Sequence, residues 1–218
     1  MENGNRLGDI EITDPKAMRA LAHPVRLAIL ERLTRDGPAT ATQLSPEVGA
    51  TPSVTSWHLR HLAGYGLVRD AEVGAGVGTG ADRQDRRERR WEAVARGFRF
   101  GAPEDEAGRA AARVLSRELF ARAADLPQRW VAETEPGLAP EWREAAGLAN
   151  ARIVVSPEEL AAIEDAIEGV LAPYVTRDPA QRPGGSRGVR LLRYVLPEAG
   201  TDGAAADGAA TDGVGETA

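Results

Sequence analysis

The chain has 218 residues, of which 42% are hydrophobic and only 5% aromatic, and it carries a formal net charge of −6. That length accommodates one large or two small domains, and the alanine-rich composition suits helices that approach closely through small side chains. There is no cysteine, which excludes disulfides, thiolate metal sites and cysteine nucleophiles.

Lysine occurs once, at Lys16, against 26 arginines. This bias points to GC-rich coding in a bacterium, so arginine clusters carry less meaning than they otherwise would. The charge is unevenly spread: residues 1–100 sum to +2 and residues 101–218 to −8. A mildly basic first half is compatible with phosphate contacts, because affinity for nucleic acid follows local rather than total charge. There is no basic-plus-apolar leader and no apolar run near ~18 residues, so a cytoplasmic location is expected.

In chain order, residues 1–13 read as a flexible arm. Asp14-Pro15 then supplies a cap and a proline at the first helical position, predicting a helix to about Ala22. His23-Pro24 breaks it. Val25–Leu33 follows as an amphipathic helix, with Val25, Ile29 and Leu33 on one stripe. Asp36-Gly37-Pro38 ends that helix. A third is predicted over Thr42–Val48, with Pro46 awkward inside it. Gly49 is the turn. A fourth helix starts at Thr51-Pro52 and stops near Gly64 or Gly66.

Leu67–Val73 and Arg89–Ala95 read as the strands of a hairpin. Its tip, Gly74–Gly80, contains four glycines, and Arg83–Arg90 carries five arginines against two acids. From Pro103 to Glu133 the apolar positions recur at threes and fours, predicting one long helix with a kink at Pro127. A short helix at Glu141–Leu148 and a strand at Arg152–Val155 follow. Ser156-Pro157-Glu158-Glu159 is a capping box that opens a helix to about Leu171. Val189–Leu196 reads as a last strand, and 199–218 as a disordered acidic tail.

The fourth helix carries the functional expectation. At ~100° per residue, Thr55, Leu59 and Leu62 point one way with His58 alongside. Ser53, Trp57, Arg60 and Gly64 point the other way, with Ser56 on the flank. Hydroxyls reach base edges or phosphates, arginine takes guanine or phosphate, and an aromatic ring lies on thymine methyls or sugars. Ser53, Ser56, Trp57 and Arg60 are therefore the base-proximal candidates. Thr40, Thr42 and Gln43, at the start of the preceding helix, are candidates for phosphate. Arg86, Arg87, Arg89 and Arg90 are candidates for the backbone and minor groove. The plainer reading makes all of these ordinary surface residues, with Trp57 packed on a neighbouring domain.

The segments Ala20–Leu30, Ala41–Leu44, Ser56–Leu62, Gly66–Val68 and Arg87–Trp91 together resemble the ArsR family of winged-helix transcriptional regulators, over about residues 14–96. The resemblance implies a homodimer that binds a near-palindromic operator in double-stranded DNA, commonly as a repressor released by an effector. Metal-sensing members use cysteine pairs or His/Asp clusters. This chain has no cysteine and its three histidines all lie in the winged-helix part, so neither a metal site nor a cofactor is expected.

The expected fold is mainly α with small β. It comprises a winged helix-turn-helix domain over 14–100 and a long helix with a small α+β region over 101–198. The long helix is the candidate dimer interface, through Val114, Leu115, Leu119 and Leu126; the alternative is that it packs on its own domain. Trp130, Trp142 and Tyr174 are candidates to line an apolar pocket for a small-molecule effector of unknown identity. Catalysis has no motif behind it: the glycine run at 74–80 follows a strand but opens no helix. The alternatives to a DNA-binding regulator are a winged-helix protein-interaction module and a small-molecule sensor acting through the C-terminal region.

Overall fold

A computed structural model of the chain describes residues 6–71, 89–101 and 103–198. By its internal contacts the chain divides into two units, Met1–Arg177 and Asp178–Ala218.

The first unit begins with a strand, β1 (Asp9–Glu11), followed by α1 (Pro15–Leu21). The Asp14 carboxylate accepts from the Lys16 amide at 2.8 Å, so the cap forms where the sequence places it. α2 (Pro24–Asp36) is capped by His23, whose Nδ1 accepts from the Val25 amide at 3.2 Å. α3 (Ala41–Val48) starts with a full capping box: the Gln43 amide donates to Thr40 Oγ1, and the Thr40 amide donates to Gln43 Oε1.

Pro46 lies inside α3 without ending it. A proline there cannot donate to the carbonyl four residues earlier, Thr42. The Ser45 hydroxyl donates to that carbonyl instead, at 3.0 Å. Gly49 then takes a left-handed conformation, φ 67°, which turns the chain into α4 (Pro52–Ala63).

A three-stranded sheet follows α4. The strand β3 (Val68–Asp70) pairs antiparallel with β4 (Arg90–Ala93), Asp70 opposite Trp91. β4 also pairs with β2 (Ala39–Thr40), so the order is β2-β4-β3. Trp91 is buried and ties this sheet to the helices. The core is a single cluster that includes Met18, Leu21, Ile29, Leu33, Leu44, Leu59, Leu62, Val68 and Leu115.

The reading of residues 1–13 as a flexible arm fails for its second half. β1 pairs in parallel with β5 (Gly97–Arg99), Ile10 opposite Phe98, and Ile12 is buried. The unpaired edge of a strand that follows the hairpin captures this short segment, whose own apolar content is too small to show by periodicity.

The long helix is interrupted. α5 (Glu106–Ala124) ends at Asp125, and a short α6 (Leu126–Arg129) leads into a π-helical turn at Trp130–Thr134. Gly108 sits where a Cβ would come within 2.4 Å of the Pro103 side chain, so glycine permits the close packing of the loop on the helix. α7 (Pro140–Ala145) is short. α8 (Pro157–Val175) opens with the capping box expected at Ser156 and Glu159. It has no buried residue. Ion pairs attach it to the rest of the unit: Arg99 to Glu168 at 2.8 Å and Arg6 to Asp165 at 3.1 Å.

Two expected strands do not form. Residues 152–155 make no ladder, and Ile153 and Val154 are exposed. In the second unit, residues 189–196 likewise have no strand partner. Val and Ile favour strands only where a neighbouring strand and a buried face receive them. Among the described residues, no helix is long and apolar enough to cross a membrane.

Candidate nucleic-acid interface

The two faces of α4 fall where the helical periodicity puts them. Thr55, His58, Leu59 and Leu62 are buried, and Ser53, Trp57 and Arg60 are exposed. Trp57 is 53% exposed, an unusual position for the largest apolar side chain on a helix whose other face is fully packed. Arg60 Nη1 donates to Ser56 Oγ at 2.8 Å, one turn back, which holds the guanidinium along the outer face.

Trp57 has a defined support. Its ring stacks on His61, with centroids 5.3 Å apart and planes 11° from parallel. It also meets His58 edge-on at 4.9 Å, and His58 in turn lies 4.7 Å from His23. Tyr65 closes the series against His61 at 5.3 Å. All three histidines therefore belong to one aromatic row running from the start of α2 to the end of α4.

Burial pushes the His58 ring below the usual histidine value, and the neighbouring His23, Arg26 and His61 push it the same way. Burial also lowers His23, helped by Arg26 and opposed by Glu118 of α5. Burial and Arg26 lower His61. The row is thus biased toward uncharged rings, an apolar prop for Trp57 rather than a set of cations. The sequence places His61 on the surface and reads His23-Pro24 only as a break. The signal available for His23 was its position directly before a proline at a helix start, which is an N-cap position.

The expected phosphate contacts of α3 divide. Thr40 is 1% exposed, and both its hydroxyl and its amide are engaged in the capping box. Burial and capping remove it from the interface. Thr42 and Gln43 are exposed on the first turn of α3, although Gln43 Oε1 is held by the Thr40 amide.

The hairpin arginines also divide. The Arg89 guanidinium grips the Asp70 carboxylate across the β3–β4 pair, with Nη2 donating to Oδ2 at 2.7 Å, and lies 4.0 Å from the Trp91 ring centroid. Hydrogen bonding to Arg89 holds Asp70 below the usual carboxylate range. Arg90 Nη2 donates to the Pro38 carbonyl at 2.7 Å. These two arginines brace the sheet, although the Arg89–Asp70 pair is itself exposed. Arg86 and Arg87 lie outside the described residues.

The candidate dimer residues on α5 and α6 point in different directions. Leu115 is fully buried, and Leu119 packs partly against the same core. Val114 is 49% exposed, and Leu126 is half-buried. Leu115 is thus a core residue of its own chain, because the i, i+3, i+4 face of α5 formed by Gly108, Ala111, Ala112 and Leu115 turns toward α1. Tyr174, one of the expected pocket aromatics, is mostly exposed with Arg177 over its ring. Among the described residues, no group of three or more His, Cys, Asp or Glu is placed to hold a metal ion.

Comparison with known proteins gives these elements a family context. Residues 21–71 match the family model of a helix-turn-helix domain. That span runs from the end of α1 through α4 to β3, and it contains the outward face of α4. No curated protein matches the chain. A solved MarR family regulator from Neisseria meningitidis is similar at 18% identity, covering 70% of this chain and 78% of that one, with a TM-score of 0.27. Likeness at that level does not bear on function.

Proposed function

We propose that this chain is a sequence-specific, double-stranded-DNA-binding transcriptional regulator that inserts α4 into the major groove. The observation that carries the reading is the outer face of α4. Within the matched helix-turn-helix span, Ser53, Ser56, Trp57 and Arg60 stand on the side opposite the buried Thr55, Leu59 and Leu62. Arg60 is pre-positioned by Ser56, and Trp57 by His61. An arginine held in one geometry loses less side-chain freedom on meeting a guanine edge or a phosphate. Thr42 and Gln43 serve the backbone from the first turn of α3. Arg86 and Arg87 remain the wing contacts in this reading.

By its resemblance to ArsR-type regulators, the protein acts in the cytoplasm as a homodimeric repressor on a near-palindromic site. The exposed Val114 and the half-buried Leu126 are the proposed dimer contacts; Leu115 is not. No catalytic role is proposed.

The test is binding of the purified protein to a duplex selected from a random library, followed by fluorescence anisotropy at several salt concentrations. Binding is expected to weaken linearly in log–log form as salt rises. Arg60→Ala and Trp57→Ala should each cost about 1–3 kcal/mol of affinity for the selected duplex while leaving the circular dichroism spectrum unchanged. Failure to select any duplex favours the protein-interaction reading. Unchanged affinity in both variants moves the interface away from α4.

A further inference from the structure

A groove beside α5 stands apart from the α4 face. It is open to solvent, with a volume of about 480 Å³, and is lined on one side by the chain leaving β5, at Phe100, and on the other by Arg109, Arg113, Ser116, Arg117 and Phe120 of α5. The three arginines sit at i, i+4 and i+8, so they form one cationic row along the helix. Phe100 and Phe120 add apolar rings to the lining. No Asp or Glu side chain lines it.

The row is only partly neutralised. Arg109 donates to the Glu104 carbonyl and reaches Glu106 at 3.3 Å, and Arg113 reaches the other Glu106 oxygen at 3.5 Å. Arg117 has no hydrogen bond or ion pair among the described residues. In a chain whose residues 101–218 sum to −8, a groove with three guanidinium groups and no lining carboxylate is a local reversal of charge. Phe120 is 47% exposed at its rim.

We infer that this groove binds an amphipathic organic anion, a carboxylate on a planar apolar body. The carboxylate pairs with Arg117 and Arg113, and the body lies against Phe100 and Phe120. The chemistry follows from the lining. Guanidinium groups recognise carboxylates bidentately. Two phenyl rings offer apolar and stacking surface to a flat ligand. The volume falls in the range of small-molecule sites. An occupant would touch both α5 and the segment that continues β5.

The test is isothermal titration of the full-length protein with 2-naphthoate, with 2-naphthylmethanol and inorganic phosphate titrated separately. One-site binding of 2-naphthoate is expected, with a dissociation constant of about 1 mM or tighter. The alcohol and phosphate should each bind at least about tenfold more weakly, since each lacks one half of the recognition. Arg117→Gln should weaken 2-naphthoate about tenfold, and Phe120→Ala should weaken it as well. Arg129→Gln, outside the groove, should leave it unchanged. Circular dichroism checks that each variant folds, and both groove positions are exposed enough for folding to survive. Absence of binding, equal binding of the alcohol or of phosphate, or indifference to both groove variants would overturn the assignment. No DNA enters the measurement, so its failure is separate from failure of the α4 interface.

Discussion

Truncating Leu115 to alanine asks whether the long helix belongs to its own core or to a partner. The side chain is 0% exposed. It is the only large residue that α5 buries, the others being Gly108, Ala111 and Ala112. Full burial of a leucine stabilises by ~1.5–3 kcal/mol. Removing it also leaves a cavity, and the flanking glycine and alanines already bring α5 close to α1, so little further collapse is available. A loss of about 3–4 kcal/mol is expected, within the usual span for a buried Leu→Ala change. For a cooperative unit the size of Met1–Arg177, at about 2–4 °C per kcal/mol, this lowers Tm by about 6–16 °C. The assay is thermal unfolding followed by circular dichroism, at two protein concentrations a hundredfold apart. Packing within one chain makes the loss the same at both. A loss that grows on dilution, or one below about 1 kcal/mol, would refute the placement. Val114→Ala, at a position 49% exposed, should change the unfolding of the isolated chain by no more than about 0.5 kcal/mol.

Two further outcomes follow from the same interior. Because burial, His23 and Arg26 depress the His58 value, the unfolded chain binds more protons than the folded one as pH falls below about 6.5. Stability is therefore full above that pH and declines as pH drops toward the folded value, by up to about 1.4 kcal/mol per pH unit for each such proton. The decline in Tm between pH 7 and pH 5 should be shallower in His58→Gln; identical slopes would show that the ring does not titrate on unfolding. Thr40→Ala should cost about 1 kcal/mol of stability through loss of the α3 cap, with no change in the DNA affinity of the folded protein. Weakened binding at unchanged Tm would return Thr40 to the phosphate-contact set.

Much of the helix-turn-helix was legible because its signals are local. Asp14, Thr51 and Ser156 cap helices where a Ser, Thr or Asp precedes a proline, and Gly49 makes the turn by a backbone conformation that glycine favours. The inward and outward sides of α4 follow from the 3.6-residue period, so the sequence alone puts Leu59 and Leu62 inside and Trp57 and Arg60 outside. What supports those outer residues was less visible. His23 lies 34 residues from Trp57 in the chain, and only folding brings it against His58 beneath that ring.

The sequence by itself determined where α1 and α4 begin, the starts of α2 and α3 to within one residue, and which side of α4 meets the core, since caps, turns and periodicity act over a few residues. Tertiary structure decided everything that needs a partner from elsewhere. β1 became ordered because β5 offered an edge, whereas residues 152–155 and 189–196 formed no strand despite their β-branched content. Thr40 changed from a candidate contact to a buried cap, and Leu115 from a candidate interface to core. Arg89, a candidate wing contact, gained an ion pair with Asp70 across the sheet. The Arg117 groove exists only because Phe100 is folded back beside α5. In each case the deciding energy is burial or pairing between segments far apart in the chain, and no local pattern encodes it.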